Sequence, residues 1–238
     1  MARAKKNQSI RRHPEGHPSR TTGRGAAPAI SSGYFKGMKL KTPAGSETTR
    51  PTMGKTRAAA MDALQGLLDG ASVCDLFAGS GAVGIDALSR GAKSCVFVEQ
   101  DRAALRALDE NIRECERRCH AQKLPVPVMS VFRGDAMRFL GTKEDPGDND
   151  AISRKQYPFD LIWADPPYAL ADTALPEILQ FAEHRLYPGG ILMIESGNPL
   201  GRSMGTAKGH GRVSDSSTLE WKAEKKYGGT YITSWKKR

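Results

Sequence analysis

Short apolar runs alternate with amphipathic stretches through the middle of the chain, and this alternation predicts its main elements. Five runs have the length of strands, and they cover Ser72–Ala78, Ser94–Val98, Val128–Phe132, Phe159–Ala164 and Ile191–Glu195. Apolar residues at helical spacing predict helices between them, namely one ending at Arg90-Gly91, one over Arg102–Cys119, a short one over Ala136–Leu140 and one over 173–185. Strands that alternate with helices predict an α/β fold, with a mostly parallel, doubly wound sheet covered on both faces.

The two ends of this region carry different patterns. Residues 30–42 predict a short hairpin around two glycines, and apolar residues at helical spacing predict a helix over 54–68. At the other end, Leu219–Tyr227 and Thr230–Trp235 alternate about Gly228-Gly229. That alternation predicts an antiparallel hairpin at one edge of the sheet.

Two segments lack the apolar residues that a packed element needs. Residues 1–29 contain almost no large apolar side chains, so we expect a disordered basic arm there. Residues 141–158 are polar, acidic and rich in Gly and Pro, which predicts a surface insertion. A single domain, 30–238, therefore follows the arm, and its first part, 30–70, holds the hairpin and helix.

Composition excludes several classes of protein. With 238 residues, 39% of them hydrophobic and 26% charged, the chain can bury one sizeable core of an ordinary soluble domain. No stretch approaches the roughly 18 uninterrupted apolar residues of a membrane span, and the N-terminus lacks the apolar region of a secretory signal. The four cysteines form no CxxC pair, so we expect no metal site and reduced thiols in a cytosolic protein.

Charge is segregated along the chain. The total is +10, with +6 in residues 1–30, +5 in 31–57, −6 in 58–221 and +5 in 222–238. Basic flanks around an acidic middle are typical of a protein that binds a polyanion, above all a nucleic acid. Solubility charge is the alternative for the flanks, and an organelle transit peptide is the alternative for the arm.

A glycine turn follows the first strand. Gly79, Gly81 and Gly84 match GxGxxG between a strand and a helix, and Glu99 follows at the end of the next strand. Glycines bring backbone N–H groups close to a ligand, and a carboxylate at that position can accept hydrogen bonds from a ribose diol. The combination predicts a nucleoside cofactor and leaves NAD and S-adenosylmethionine both open.

Two further acids belong to the same predicted edge of the sheet. Asp75 lies inside an apolar strand, where a carboxylate needs a partner. We expect it to orient the glycine loop or to meet a cationic amino group of the ligand. Asp135, with Ala136 beside it, is placed to accept a hydrogen bond from an adenine amine, although an isolated Gly-Asp pair is more often part of a turn.

The segment Asp165-Pro166-Pro167-Tyr168 ends the fourth strand. Two prolines terminate the strand and stiffen the loop, so the Asp165 carboxylate and the Pro166 carbonyl can face a pocket together. Two acceptors that grip the hydrogens of an exocyclic purine amine make its nitrogen more nucleophilic, and Tyr168 can stack on a flipped base. This motif therefore favours methyl transfer from a sulfonium donor.

These residues together resemble the RsmD-type 16S ribosomal RNA guanine-N2 methyltransferases. The matching segments are 75–84, 85–92, 98–100, Asp165–Tyr168, Lys226–Thr230 and Arg50-Pro51-Thr52 with Arg57, so the resemblance covers about residues 30–238. It implies a Rossmann-like, seven-stranded methyltransferase fold and S-adenosylmethionine as cofactor. The implied substrate is one guanine of small-subunit ribosomal RNA in an assembling subunit, methylated by a monomer.

The same resemblance implies roles for individual residues. Asp75, Gly79 and Gly81 would surround the methionine part of the cofactor. Glu99 would hold the ribose and Asp135 the adenine, while Asp165 through Tyr168 would grip the target amine. Arg50 and Thr52 would close over the cofactor or substrate. Asp86 stands where the family pattern leads us to expect Glu.

Other functions fit part of the sequence. Adenine-N6 methylation of DNA or RNA uses the same motif at residues 165–168, and basic flanks suit either polymer. A ribosome-assembly RNA-binding protein with a vestigial pocket belongs to another class, but the intact motif argues against decay. A dehydrogenase would use the glycine turn and Glu99 and would leave the motif without a role.

Overall fold

A computed structural model describes residues 28–43, 51–141, 158–167, 170–200 and 217–238. The helices are α1 Pro51–Ala63, α2 Gln65–Leu68, α3 Ala82–Ser89, α4 Arg102–Gln122, α5 Ala136–Gly141 and α6 Ala171–Arg185. The strands are β1 Ser72–Leu76, β2 Ser94–Glu99, β3 Val128–Arg133, β4 Phe159–Ala164, β5 Leu186–Ser196, β6 Leu219–Tyr227 and β7 Thr230–Lys237.

The seven strands form one sheet in the order β3-β2-β1-β4-β5-β7-β6. Strands β1 to β5 pair in parallel, whereas β7 lies antiparallel between β5 and β6. The order reverses between β1 and β4, and in doubly wound sheets the ligand crevice opens at that switch point, at the carboxyl ends of the strands. The predicted fold class is confirmed, including the antiparallel hairpin at the edge.

The sheet is buried on both faces, which is why its central strands are mostly apolar. On one face, the hairpin, α1 to α4 and alternate strand residues such as Phe97 and Trp163 form one core. On the other face, α5 and α6 pack with the intervening strand residues, such as Val98 and Ile162. All four cysteines are buried and free.

Several boundaries differ from the sequence-based ones by a few residues, and three of these differences divide or extend an element. The helix predicted over 54–68 is two helices, because the chain breaks its helical geometry at Leu64. Strand β5 begins at Leu186 rather than Ile191. Gly189, at φ +86°, lies where the register of β5 against β4 shifts, so the strand continues through the predicted turn. The hairpin includes Pro28 and Ala29, since Leu40 N donates to Pro28 O over 2.8 Å and Ala29 bridges Lys39.

The predicted basic arm, 1–29, and surface insertion, 141–158, are too long at their ends, because Pro28 and Ala29 belong to the hairpin and Gly141 ends α5. The rest of them, 1–27 and 142–157, lies outside the described residues. Both therefore stay predictions. Among the described residues, no helix combines the length and apolar character needed to cross a membrane.

Candidate active site

The glycine turn between β1 and α3 leaves open space beside one of its residues. Gly79 and Gly81 have φ of +57° and +82°, which favour glycine. A Cβ on Gly81 would lie 2.5 Å from Leu108 Cδ1, and one on Gly84 would lie 2.4 Å from Phe97 Cε1, so both are packed against the core. A Cβ on Gly79 would meet nothing within 4 Å. The turn is thus close-packed on its inner side and open at Gly79, as a ligand cradle requires.

Glu99 ends β2 beside this cradle and organises two backbone turns. Its Oε2 accepts from Gly79 N over 2.7 Å, and its Oε1 accepts from Gln100 N and Asp101 N over 2.8 and 2.7 Å. Each carboxylate oxygen has two lone pairs, so Oε2 keeps one for a ligand hydroxyl. The predicted ribose acceptor therefore lies at the cradle, and it also holds the glycine turn in place.

Asp75, on β1, is 2% exposed and meets the first turn of α3, where its Oδ2 accepts from Gly84 N over 2.9 Å. Burial raises the pKa of Asp75 to about 7, while the Gly84 N–H lowers it and the charges of Asp165 and Glu99 raise it further. The first of its two predicted roles, orienting the glycine loop, fits this geometry. Contact with a cationic ligand group stays a prediction.

Asp135 follows β3 and caps α5. Its Oδ1 accepts from Met137 N over 2.6 Å and from Arg138 N over 3.3 Å, as an N-terminal cap does. Ala136 is buried in the first turn of the helix. Among the described residues Oδ2 has no hydrogen-bond partner, so it is the oxygen that could face an adenine amine. Asp135 therefore has the turn role that a Gly-Asp pair suggests, as the cap of α5. Its contact with an adenine amine stays a prediction.

Asp165 follows β4 on the other side of the switch point. Its N–H points to Leu76 O on β1 at 3.5 Å, which places it next to the start of the glycine turn. The side chain is open to the crevice, yet the crevice walls limit its hydration, and this burial raises the pKa of Asp165 to about 6. Pro166 is buried and Pro167 exposed. Tyr168 lies outside the described residues, so its stacking role stays a prediction.

Glu195, near the end of β5, is a candidate that the sequence reasoning missed. The pairing of Ala164 with Ile194 places Glu195 opposite Asp165, at the same edge of the sheet. Burial, and then the charge of Asp165, raises the pKa of Glu195 to about 8, while Arg57 lowers it. The available signal was its position, since Glu195 ends an apolar strand as Glu99 does.

Arg57 of α1 lies close enough to this acidic edge for its charge to lower the pKa of Glu195 and of Asp75. Its Nε donates to Asp86 Oδ2 over 3.1 Å, and its Nη2 donates to Ala29 O over 3.1 Å. Asp86 is fully buried and also accepts from Arg90 Nε over 3.0 Å. The shorter acid at position 86 thus joins α1, α3 and the hairpin through two arginines.

Two predicted closing residues precede or begin α1. Arg50 lies outside the described residues, and Thr52 lies in the first turn of α1 with its side chain outside the described part. Their roles stay predictions. The described site therefore comprises the Gly79 cradle, three carboxylates around it and the Asp165–Glu195 pair across the switch point.

These features define a class of protein. The strand order, the glycine turn at the switch point and the Asp-Pro-Pro loop after β4 are those of Rossmann-like methyltransferases, a class that takes its methyl group from S-adenosylmethionine. The chain belongs to the RsmD family of methyltransferases, since the family model described as conserved hypothetical protein 95 matches residues 29–235. The resemblance inferred from the motifs is confirmed.

Individual relatives match a shorter segment. YlbH of Bacillus subtilis (strain 168), described as a candidate rRNA methyltransferase, is 37% identical over 139 residues, which are 58% of this chain and 66% of YlbH. Ribosomal RNA small subunit methyltransferase D of Escherichia coli (strain K12) is 31% identical over 139 residues, 58% of this chain and 59% of that protein. The matched segment thus spans less than two thirds of these curated relatives.

Solved structures share the fold over more of the chain. The Escherichia coli protein yhhF, described as a candidate methyltransferase, is 25% identical with a TM-score of 0.64, covering 88% of this chain and 97% of that one. A Thermus thermophilus protein described as hypothetical is 26% identical with a TM-score of 0.60, covering 87% and 97%. The likeness therefore extends over most of the chain.

Proposed function

We propose that this protein transfers a methyl group from S-adenosylmethionine to the exocyclic N2 amine of a guanine in small-subunit ribosomal RNA. The observation that carries the proposal is the placement of Asp165. Its backbone N–H points to Leu76 O on β1. The Asp165 carboxylate, which would accept a hydrogen bond from the target amine, is therefore beside the glycine turn that would hold the cofactor. The names of the relatives support ribosomal RNA as the substrate class.

The residues present fit the cofactor. The open side of Gly79 would receive its backbone, Glu99 Oε2 would accept from a ribose hydroxyl, and Asp135 Oδ2 would accept from the adenine amine. The acidic surroundings of Asp75 and Asp165 suit a ligand with ammonium and sulfonium charges. When bound, S-adenosylmethionine supplies an electrophilic methyl group.

The protein's part in the chemistry is to hold the amine and remove a proton. Asp165 would accept a hydrogen bond from the guanine amine, and the Pro166 carbonyl would accept the second. These contacts strengthen as positive charge develops on the nitrogen, so they favour the transition state over the bound substrate. As the new N–C bond forms and the methyl–sulfur bond breaks, the guanine nitrogen becomes positively charged and must lose one proton. The ionised Asp165 carboxylate can accept it.

Specificity for guanine N2, action on an assembling small subunit in the cytoplasm and a monomeric state all belong to this proposal. The test is to map methylated nucleotides in ribosomal RNA from cells lacking the protein, and from the same cells complemented with wild type or with Asp165→Ala. We expect one N2-methylguanine to disappear and to return only with wild type. Loss of an N6-methyladenine instead would support the alternative function, adenine-N6 methylation. An unchanged map of methylated nucleotides would overturn the proposal.

A further inference from the structure

A groove of about 510 Å³ runs between the N-terminal hairpin and α4. It lies on the face of the sheet that the hairpin covers, apart from the Asp165 crevice. Five of its lining residues are basic: Lys39, Lys41, Arg113, Arg117 and Arg118. Two of these come from the basic N-terminal flank and three from the acidic middle of the chain, so only the fold brings them together.

The acids in the groove leave most of this charge uncompensated. Glu110 and Glu114 are the two acidic lining residues, which gives the groove a net charge of +3. Glu114 is already shared between two of the arginines, at 2.6 Å from Arg117 and 2.7 Å from Arg118. Within the described part of the chain, no hydrogen bond or ion pair engages the side chains of Lys39, Lys41 or Arg113.

The cations form two rows, one on the hairpin side of the groove and one on α4. Lys39 and Lys41 are exposed on either side of buried Leu40, so they project to the same side of an extended segment, about 7 Å apart. Arg113 and Arg117 are four residues apart, one turn of α4, about 6 Å along its axis. Two rows with such repeats suit an extended chain of phosphates better than one compact anion.

The floor of the groove connects it to the cofactor edge. Asn111 is 1% exposed, and its Nδ2 donates to Lys41 O over 3.0 Å and to Ser80 O over 2.9 Å, while its Oδ1 accepts from Lys41 N over 2.8 Å. Ser80 lies within the glycine turn. The buried amide of Asn111 therefore holds the segment that carries the two lysines against α4. It also connects this segment to the glycine turn of the cradle.

We propose that this groove binds the sugar–phosphate backbone of the RNA substrate and leads the strand toward the crevice. The proposal rests on the proposed function for the identity of the polymer. Phosphate contacts from lysine and arginine position a nucleic acid without reading its bases. The groove would thus hold the RNA in register, while the pocket around Asp165 selects the nucleotide.

The test compares two double variants of the full chain that remove equal charge. Lys39→Gln with Arg113→Gln removes one cation from each row. Lys93→Gln with Arg106→Gln removes two exposed cations outside the groove and is the matched control. Affinity for small-subunit ribosomal RNA is measured by filter binding at several salt concentrations. Calorimetry with S-adenosylmethionine checks that each variant folds and binds cofactor as wild type does.

We expect the groove variant to bind RNA on the order of tenfold more weakly at 0.1 M salt, with a salt slope flatter by about 0.7 for each lost phosphate contact. The control should keep the wild-type slope. Equal salt slopes for the two variants would overturn the proposal. It would also be overturned if a mononucleotide competed for binding as effectively as an RNA strand at the same phosphate concentration. Because binding is measured without methyl transfer, a wild type that binds RNA but methylates none would count against the proposed function alone.

Discussion

The N–H of Gly79 donates a 2.7 Å hydrogen bond to Oε2 of Glu99. The acid at the end of β2 thus holds the open residue of the glycine turn on the adjacent strand, besides being the candidate ribose acceptor. In the proposed function, this one carboxylate would couple ribose recognition to the shape of the cradle.

Glu99→Ala should weaken S-adenosylmethionine binding by about 1–3 kcal/mol, because it removes a charged acceptor and releases the Gly79 N–H. Isothermal titration calorimetry measures the loss. Glu177→Ala, at an exposed position on α6, is the matched control and should bind as wild type does. Unchanged affinity in the Glu99 variant would remove this residue from the site.

Asp165→Ala should abolish most methyl transfer and leave much of the cofactor affinity, since its carboxylate acts on the target amine. Asp165→Asn should retain part of the rate, because an amide carbonyl still accepts one hydrogen bond. Single-turnover rates at saturating cofactor separate the two variants. A near-wild-type rate in Asp165→Ala would exclude the mechanism.

The rate of methyl transfer should fall as pH decreases through about 6. Burial raises the pKa of Asp165 to about 6, so its carboxylate becomes protonated below that pH and stops accepting. Asp165→Asn cannot titrate and should lose this dependence. Glu195→Gln should leave the wild-type midpoint near 6, because the pKa of Glu195, raised to about 8, keeps that acid uncharged there. Identical pH profiles for all three proteins would assign the midpoint to another group.

Asp75 should make the protein less stable as pH rises from 4 to 7. Its pKa is raised from the ordinary 3.8 to about 7, so the folded state holds a proton that the unfolded state has released. The unfolded chain therefore binds fewer protons in this window, and the free energy of unfolding falls with pH, by about 4 kcal/mol at most.

The check on Asp75 is the Asp75→Asn variant, whose amide oxygen can still accept from Gly84 N. Urea unfolding at pH 4, 5.5 and 7 should show a smaller decline for the variant than for wild type. Parallel decline in both proteins would mean that other acids account for the pH dependence.

Gly79 and Gly81, the two glycines of the turn between β1 and α3 that have positive φ, should respond differently to alanine. Gly81→Ala should cost about 1–3 kcal/mol of stability beyond the strain of its φ, because the new methyl meets Leu108 Cδ1 at 2.5 Å. Gly79→Ala meets no atom within 4 Å, so it should cost less stability and more cofactor affinity. Thermal unfolding and calorimetry on both variants test this, and an equal stability loss would contradict the difference in packing.

The sequence by itself determined the elements and the edge of the sheet at which the site lies. Apolar runs, the glycine turn and the Asp-Pro-Pro break are local patterns, and local geometry converts them into strands and loops. Because parallel strands end at one edge, acids at the ends of β1, β2 and β4 had to meet there. The sequence was therefore enough to assign Asp75, Glu99 and Asp165 to this edge, while their roles toward a ligand stay predictions.

Only the tertiary structure decided which of those groups share a hydrogen bond and which distant charges become neighbours. Glu195 joined Asp165 because β5 pairs with β4, a choice of strand order that no single strand encodes. Lys41 and Arg113 line one groove because the hairpin packs on α4. Such pairings depend on long-range packing, whose energy is spread over many residues, whereas a turn or a strand end is specified by its own few side chains.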